Sequence, residues 1–307
     1  MQLFGKRRYV VLAFALLVLF WGSAFAVVKV GLEYSPPMIF AGLRTLMGGL
    51  VILLVAVVWG GSPHLRRDWP IFLLLAAFNV VFFFGFQTLA ILYLPSGTAA
   101  VLEFLQPVLV GILAWMIVGE SLSAAKLVGL ALGFSGIVAV SSGSFSGAIS
   151  PVGIAFGLGA ALSWALGTVF FKRYEGRIST MWAVAVPFVA GGSVLALFSL
   201  ATESWTEVSP TGALFASLAY VSLVEIAAAW LIWFGLIRAG KASRVAVYVF
   251  FVPLVSIVIG TIFLDERLTL SLLVGTGLIV TGVYTVNRSS TDEEKTSARP
   301  VAAGGGS

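Results

Sequence analysis

Two stretches of the chain, PVLVGILAWMIVGESLS at residues 107–123 and PLVSIVIGTIFLDERLT at residues 253–269, each place a proline 13 residues before a glutamate in apolar sequence. A single shift of 146 residues relates them, and it extends to glycines further along. It maps Pro107, Glu120, Ser123, Gly129 and Gly136 onto Pro253, Glu266, Thr269, Gly275 and Gly282. A shift of 143 likewise relates Trp21 and Lys29 to Trp164 and Lys172. The chain is therefore an internal duplication, which predicts two structural repeats.

The composition predicts an all-α integral membrane protein. Of the 307 residues, 60% are hydrophobic and only 10% are charged, whereas a soluble protein has about 25% charged residues. Apolar stretches of about 20 residues, the length of a membrane-spanning helix, recur throughout. The predicted spans are ten, at 9–31, 39–59, 70–93, 97–118, 126–143, 152–173, 181–201, 212–236, 243–263 and 269–287.

The spans divide into a first five-helix repeat at 9–143 and a second at 152–287. Because five is odd, the two repeats must cross the membrane in opposite senses. Inverted repeats are typical of secondary transporters, whose substrate site lies near the midplane between the halves. The polar tail at 288–307 has the composition of a disordered segment.

The distribution of lysine and arginine predicts the orientation. With the N-terminus inside, 15 of the 18 cations fall on the cytoplasmic side, so both termini are predicted to be cytoplasmic in a cell (inner) membrane. The net charge of +5 reflects this distribution and is not read as nucleic-acid binding.

The chain lacks the residues that several classes of function require. The chain has no cysteine, and its one histidine, His64, lies in a connector, which excludes disulfides, thiolate metal sites and a Ser-His-Asp triad. GLIRAGK at 235–241 matches a phosphate-binding loop in spacing, but it lacks the final Ser/Thr and a preceding strand. No cofactor or metal is predicted, and transport would draw on protons, another ion gradient or substrate exchange.

The chain resembles the EamA-type transporters of the drug/metabolite transporter superfamily over about residues 9–287. The resemblance is carried by WGSAF at 21–25, Pro-Pro at 36–37 followed by Arg44, Pro107 with GESLS, and Pro253 with DERLT. It implies a ten-helix fold of two inverted five-helix repeats and substrates such as amino acids and small metabolites, often exported. Glu103 is not part of the family pattern.

Arg44 and Glu103 are charges within predicted spans. Each lies about six residues inside a span that runs from outside to inside, so both lie about 9 Å below the outer boundary. An unpaired ion there costs several kcal/mol, which suggests a pair. Three interpretations stay open. Arg44 could hold a substrate carboxylate while Glu103 accepts an ammonium or a proton, the two could neutralise each other, or both could reach the lipid boundary.

Other polar and aromatic residues within spans are candidates for the same site. Glu225 lies mid-span and is either a proton carrier or a hydrogen-bonded structural acid. Its repeat counterpart is Asn79, and Gln87 lies eight residues further along the same helix, close to the same face. Polar residues of this kind also form bonds between helices, which is favoured for Gln87.

The remaining candidates are aromatic residues, prolines and glycines. Trp21, Trp164 and Tyr248 could line the central cavity or simply pack in the bundle. Pro107 and Pro253 are predicted to kink their helices. The repeat-related glycines are predicted to allow close helix approach, and Glu120 is predicted to accept exposed backbone amides.

These observations favour a secondary transporter of small organic solutes, an exporter by resemblance, acting as a monomer or homodimer. One alternative is an intramembrane enzyme acting on a lipid-linked substrate, which would need clustered catalytic residues. The other is a non-transporting membrane scaffold, which would not need polar residues such as Asn79 and Glu225 at mid-membrane depth.

Overall fold

A computed structural model of the protein describes residues 7–94, 102–141, 150–252, 254–255 and 270–297. Within these ranges the chain is helical and has no β-strand. The α-helices are α1 (Arg7–Leu32), α2 (Pro37–Trp59), α3 (Leu65–Ala76), α4 (Phe83–Tyr93), α5 (Gln106–Val118), α6 (Ala124–Ser141), α7 (Pro151–Tyr174), α8 (Thr180–Thr202), α9 (Gly212–Tyr220), α10 (Ala229–Ala239), α11 (Ala242–Ala246) and α12 (Leu270–Ser297). Short 3-10 helices lie at Trp205–Glu207 and Val247–Phe251.

Five helical runs are long and apolar enough to cross a membrane: Pro37–Trp59, Leu65–Ala90, Pro151–Tyr174, Thr180–Thr202 and Gly212–Ala239. Shorter apolar helices cover Tyr9–Ala24, Gln106–Val118, Ala124–Ala139 and Ala242–Phe251. Helices of this kind satisfy their own backbone hydrogen bonds, as a bilayer requires. The count of ten spans stays a prediction, because several predicted spans extend beyond the described ranges.

Both repeats contain a π-helical segment at matching positions. The first, Ala77–Phe82, joins α3 to α4, and the second, Val221–Ala228, joins α9 to α10. The shift of 146 maps residues 77–82 onto 223–228, so the two segments coincide in the duplication. π-Helical turns are rare and are found frequently at functional sites. The two repeats therefore carry a π-helical segment at equivalent positions.

α5 begins at a break in the predicted span 97–118. Residues 102–103 are helical, Phe104 and Leu105 form a turn, and α5 starts at Gln106. Pro107 therefore lies in the first turn of a helix, where its missing N–H leaves no hydrogen bond unmade. The prediction that Pro107 kinks a continuous helix is wrong, and Pro253 lies outside the described residues.

α12 continues beyond the predicted end of its span at residue 287. It runs to Ser297, so the described part of the tail 288–307 is helical and the prediction of disorder is wrong for residues 288–297. Extending an existing helix fixes one residue per added hydrogen bond and avoids the cost of nucleation. Glutamate and lysine, which occur in this segment, favour helix.

Glycines bring α6 of the first repeat into backbone contact with α12 of the second. A methyl group on Gly282 would lie 2.5 Å from the carbonyl oxygen of Gly129 and 2.6 Å from the amide nitrogen of Gly133. One on Gly136 would lie 2.7 Å from the carbonyl oxygen of Gly275. The predicted close approach of these helices is confirmed.

α2 and α8 approach each other in the same way. A methyl group on Gly42 would lie 2.7 Å from the amide nitrogen of Ala196, and one on Gly192 would lie 2.6 Å from that of Leu46. By the sequence duplication, α8 is the counterpart of α2, and α12 is the counterpart of α6. The two repeats are thus joined through pairs of equivalent helices.

Carboxylates cap two helices across the repeats. Glu203, after α8, accepts the backbone N–H groups of Met38 and Ile39 at the start of α2, each at 2.8 Å. Glu120, after α5, accepts the N–H of Ala242 at the start of α11 and a hydroxyl bond from Ser243. The first N–H groups of a helix have no partner within it, so an acid there is stabilising. Glu120 is structural as predicted, although it caps a helix of the other repeat.

We expect Gly282→Ala to destabilise the protein by about 1–3 kcal/mol, because its methyl group would press on the backbone of α6. Gly277→Ala on the same helix is the matched control, since nothing lies within 4 Å of the added methyl group. Thermal unfolding in detergent measures both. Equal melting temperatures for the two variants would contradict backbone contact between α6 and α12.

Candidate functional site

The two repeats enclose a cavity of about 180 Å³. It runs from the centre of the bundle, at Trp21 and Trp164, to the connector between α1 and α2, at Leu32 and Pro37. Its lining is mainly aliphatic and aromatic. The polar residues in the lining are Arg44, Gln87, Thr88, Glu103 and Glu225.

Four of these polar side chains form one hydrogen-bonded chain. Arg44 Nη1 donates to both carboxylate oxygens of Glu225, at 3.0 and 2.9 Å. Arg44 Nη2 donates to Gln87 Oε1 at 3.1 Å, and Gln87 Nε2 donates to Glu103 Oε2 at 2.8 Å. The order is therefore Glu225, Arg44, Gln87, Glu103. It links α2, the second π-helical segment, α4 and the helical residues 102–103 before α5.

The charged side chains of this hydrogen-bonded series are buried, and they comprise two acids and one base. Arg44, Glu103 and Glu225 are 4%, 7% and 8% exposed. Glu225 neutralises Arg44, which also lies 4.8 Å from the centre of the Phe84 ring and gains a cation–π contact. Glu103 bonds only to a neutral amide among the described residues. Among the described residues, the cavity thus holds one carboxylate without a cation of its own.

Tryptophans close the inner end of the cavity. Trp21 of α1 lies edge-on to Trp164 of α7, with ring centres 5.3 Å apart, and Trp230 and Trp233 of α10 lie 6.0 and 5.5 Å from Trp21. Phe83 packs on Trp164 at 5.2 Å. Offset and edge-to-face aromatic contacts of this kind add to the burial energy. Beneath the polar chain the cavity therefore ends in a packed aromatic floor.

No three histidine, aspartate or glutamate side chains cluster in the described part of the chain as metal ligands would. The groups available in the cavity are a guanidinium, two carboxylates, an amide and a threonine hydroxyl. Such a set can bind and orient charged groups or exchange protons.

The structure changes the predicted partner of Arg44. Arg44 and Glu103 share a cavity, but one amide, Gln87, separates them, and the direct ion pair is with Glu225. The prediction of a direct Arg44–Glu103 pair is wrong. The depth of each residue within its predicted span could not decide which acid pairs with Arg44. That depends on how the second π-helical segment faces α2.

Asn79 and Gln87 do not share a face of their helix. Asn79 packs against Gly167 of α7 and does not line the cavity, whereas Gln87 points into it. The π-helical segment, which contains Asn79 and ends before Gln87, rotates the residues that follow it relative to those that precede it. Gln87 is the site residue that sequence reasoning undervalued, and its only signal was an amide in an apolar span.

Tyr248 lies away from the cavity. Its ring stacks on Phe14 at 4.0 Å, and its hydroxyl donates to Asn287 Oδ1 at 3.1 Å. The prediction that Tyr248 lines the central cavity is therefore wrong. Trp21 and Trp164 do line it, as predicted, and their contact with a substrate stays a prediction.

The sequence places the chain in a transporter family, and a solved structure shares its fold. The EamA-like transporter family model matches twice, at residues 8–142 and 151–288. The chain belongs to this family, which confirms the resemblance drawn from its motifs. A crystal structure superposes with a TM-score of 0.81 at 21% identity, covering 94% of this chain and all of that one, so the fold is shared.

Particular relatives are similar over most of their length. The chain is 43% identical over 289 residues to YvbV of Bacillus subtilis (strain 168), an uncharacterized transporter, and covers 94% of each protein. It is 32% identical to a probable amino-acid metabolite efflux pump of Escherichia coli (strain K12), covering 88% of this chain and 91% of that protein. YedA of the same organism, an uncharacterized inner membrane transporter, is 30% identical over 89% of this chain and 88% of its own length.

We expect Arg44→Met to destabilise the protein by about 3–5 kcal/mol, because it leaves Glu225 as an unpaired buried charge. Adding Glu225→Leu should restore most of that stability, since an apolar pair replaces an ion pair at little cost. Thermal unfolding of the two single variants and the double variant measures the coupling. The exposed Arg173→Met is the control for loss of a charge.

Additivity of the two single losses in the double variant would contradict a direct interaction between Arg44 and Glu225.

Proposed function

We propose that this protein is a secondary transporter that exports small zwitterionic metabolites, amino acids in the first place, through a midplane site reached alternately from each side. One observation carries the proposal. In an apolar helical bundle, a buried guanidinium and a buried carboxylate face one cavity and are bridged by a single neutral amide.

The amide of Gln87 presents an acceptor to Arg44 and a donor to Glu103, the same arrangement that the carboxylate and ammonium groups of an amino acid would present. Its carbonyl oxygen accepts from Arg44, as a substrate carboxylate would, and its NH₂ group donates to Glu103, as a substrate ammonium would. Charged partners form shorter and roughly twice stronger bonds than neutral ones. A zwitterionic substrate can therefore replace Gln87 as the partner of both Arg44 and Glu103. The side chain of the substrate would then lie against the aromatic floor.

Ten membrane-spanning helices in two inverted repeats, with both termini in the cytoplasm, are part of the proposal. The joining of equivalent helices, α2 to α8 and α6 to α12, supports the repeat arrangement. The concentration of lysine and arginine in alternate connectors supports the orientation. In that orientation the mouth of the cavity, at Leu32 and Pro37, opens away from the cytoplasm.

Export and amino-acid specificity rest on the cavity together with the names of relatives. The related efflux pumps of Escherichia coli and Salmonella typhimurium are described as acting on amino-acid metabolites. Among the described residues, the site has no cluster of metal ligands, which a metal-dependent enzyme would need. A non-transporting scaffold would gain nothing from charges buried around a cavity, because burying them is costly.

Protons are the proposed coupling ion, and Glu103 is the better placed acceptor. Protonating Glu225 would remove its ion pair with Arg44, whereas protonating Glu103 breaks no ion pair among the described residues. Glu225, the acid favoured from sequence, then serves to hold Arg44. A substrate ammonium and a proton would compete for the same carboxylate.

The purified protein should move a labelled zwitterionic amino acid into liposomes faster than protein-free vesicles do, and an opposing pH gradient should change the rate. A panel of apolar, aromatic and charged amino acids, with carboxylate-only and amine-only analogues, tests the class. If no member of the panel moves faster than in empty vesicles, the transport proposal fails.

Glu103→Gln should lower transport of zwitterions by roughly 10- to 100-fold, the value of one lost charge-assisted hydrogen bond. The same variant should lose its response to a pH gradient. Glu207→Gln, an exposed acid in a connector, is the matched control and should transport normally. Undiminished transport by Glu103→Gln would remove Glu103 from the substrate site.

A further inference from the structure

Two arginines, one from each half of the chain, share a single buried carboxylate at one end of the bundle. Arg67 Nε and Nη2 donate to the two carboxylate oxygens of Asp68, at 2.9 and 2.8 Å. Arg177 Nη2 lies 3.5 Å from Asp68 Oδ1. The side chain of Asp68 is 1% exposed, whereas those of Arg67 and Arg177 are 55% and 54% exposed. These three residues form the arginine cluster, in which one buried acid holds two half-exposed cations.

Further bonds to the backbone hold the arginine cluster in place. Arg67 Nη2 also donates to the backbone carbonyl of Arg177 at 3.2 Å. Close by in the chain, Trp182 Nε1 donates to the carbonyl oxygens of Gly60 and Gly61, at 3.1 and 3.0 Å. These bonds join the α2–α3 region of the first repeat to the α7–α8 region of the second. The two guanidinium groups are therefore fixed relative to each other.

The arginine cluster has hydrogen-bond donors available for a ligand. Among the described residues, Nη1 of Arg67 and both Nε and Nη1 of Arg177 make no hydrogen bond. Two guanidinium groups and one carboxylate give the cluster a net charge of +1. A guanidinium presents its N–H groups as a planar fork that matches the oxygens of a phosphate group. The cluster therefore suits an anion with one negative charge and several acceptor oxygens.

An exposed apolar face of α3 begins beside the cluster. Leu65, Trp69 and Leu73 follow one another at intervals of four residues, so they lie on one face of the helix, and all three are exposed. This helix starts the apolar run Leu65–Ala90, which is long enough to cross a membrane. Tryptophan near the end of such a run is typical of the level of lipid headgroups. In a bilayer, acyl chains would therefore cover this face directly next to the cluster.

We propose that the arginine cluster binds the phosphate group of an anionic phospholipid, whose acyl chains lie along the exposed face of α3. The single negative charge of the phosphodiester matches the net charge of the cluster. Because the lipid would bridge Arg67 of the first repeat and Arg177 of the second, its binding stabilises the contact between the repeats at this end. No residue of the cluster lines the cavity, so this site is separate from the proposed substrate site.

The apolar face favours a lipid over a soluble phosphate ester. A soluble ester would contact the cluster alone, whereas a phospholipid contacts both the cluster and the face. A zwitterionic phospholipid carries a cation beside its phosphate, so a site of net positive charge favours an anionic lipid. Arg66, exposed on the same helix, adds a further positive charge nearby. Basic pockets between membrane-spanning helices are known to bind anionic headgroups in this way.

Thermal unfolding of the purified protein in detergent micelles tests the lipid class. We expect added phosphatidylglycerol to raise the unfolding temperature more than the same amount of phosphatidylcholine, because a ligand that binds the folded state stabilises it. Equal stabilisation by the two lipids would overturn the proposal. Glycerophosphoglycerol, the same headgroup without acyl chains, is the third arm. If it stabilised the protein as strongly as phosphatidylglycerol, the site would belong to a soluble phosphate ester and the lipid would be excluded.

Arg67→Gln and Arg177→Gln should each lower the affinity for phosphatidylglycerol about tenfold, the value of a lost charge-assisted hydrogen bond. Native mass spectrometry, which counts bound lipids, measures this separately from unfolding. Arg173→Gln removes an exposed arginine near the same end of α7 and is the matched control. It should bind phosphatidylglycerol normally. An equal loss in Arg173→Gln would show that binding reflects the overall charge of this end, and it would refute the site.

Asp68→Asn separates a constructed site from charge alone. It removes the only negative charge of the cluster, but it also removes the carboxylate that holds both guanidinium groups. We expect it to bind phosphatidylglycerol more weakly than the unchanged protein. Tighter binding would show that charge alone attracts the lipid and would contradict the site. The variants of the two half-exposed arginines test the proposal even if Asp68→Asn does not fold.

These measurements need neither a transported solute nor a sided membrane. Their outcome is therefore independent of the proposed substrate and of the proposed orientation.

Discussion

The buried ion pair between Arg44 and Glu225 is the interaction on which the site depends. It holds a cation in an apolar bundle, and by occupying Arg44 it leaves Glu103 as the carboxylate without a cation partner in the described chain. A buried charge persists only where its partners satisfy it. The helices that supply those partners, α2, the second π-helical segment and α4, must therefore keep their relative positions for the site to persist.

The two repeats have diverged in chemistry while keeping their geometry. Both carry a π-helical segment at the same place, with an acid in one and an amide in the other. Glycine contacts join equivalent helices, so backbone meets backbone with little side chain between. Such interfaces are tight, because the helices approach at small residues.

The charged residues of the cavity have no charged counterparts in the other repeat. Arg44 and Glu103 correspond to Pro187 and Val249 in the second repeat. The fold is duplicated, but the buried charges of its cavity are not. Tryptophans from both repeats meet at the centre.

Much of the architecture could be predicted from residues alone. The apolar stretches, the repeated Pro and Glu positions and the motifs were enough to predict helices, duplication and family. The glycine positions predicted close helix approach, and the structure shows that the helices concerned are α6 and α12. The depths of Arg44 and Glu103 predicted that both charges belong to one layer. These features are local or periodic, so the spacing of residues along the sequence is enough to predict them.

What spacing could not decide is which side chains meet across helices. The choice of Glu225 over Glu103 as partner of Arg44, the separation of Asn79 from Gln87, and the position of Tyr248 all depend on helix rotation. The π-helical segments set that rotation by a change in hydrogen-bond pattern that the apolar periodicity does not reveal. The sequence determined a duplicated helical membrane transporter with a few buried charges. Only the tertiary structure decided how those charges pair, because pairing depends on distances of a few ångströms between residues far apart in the chain.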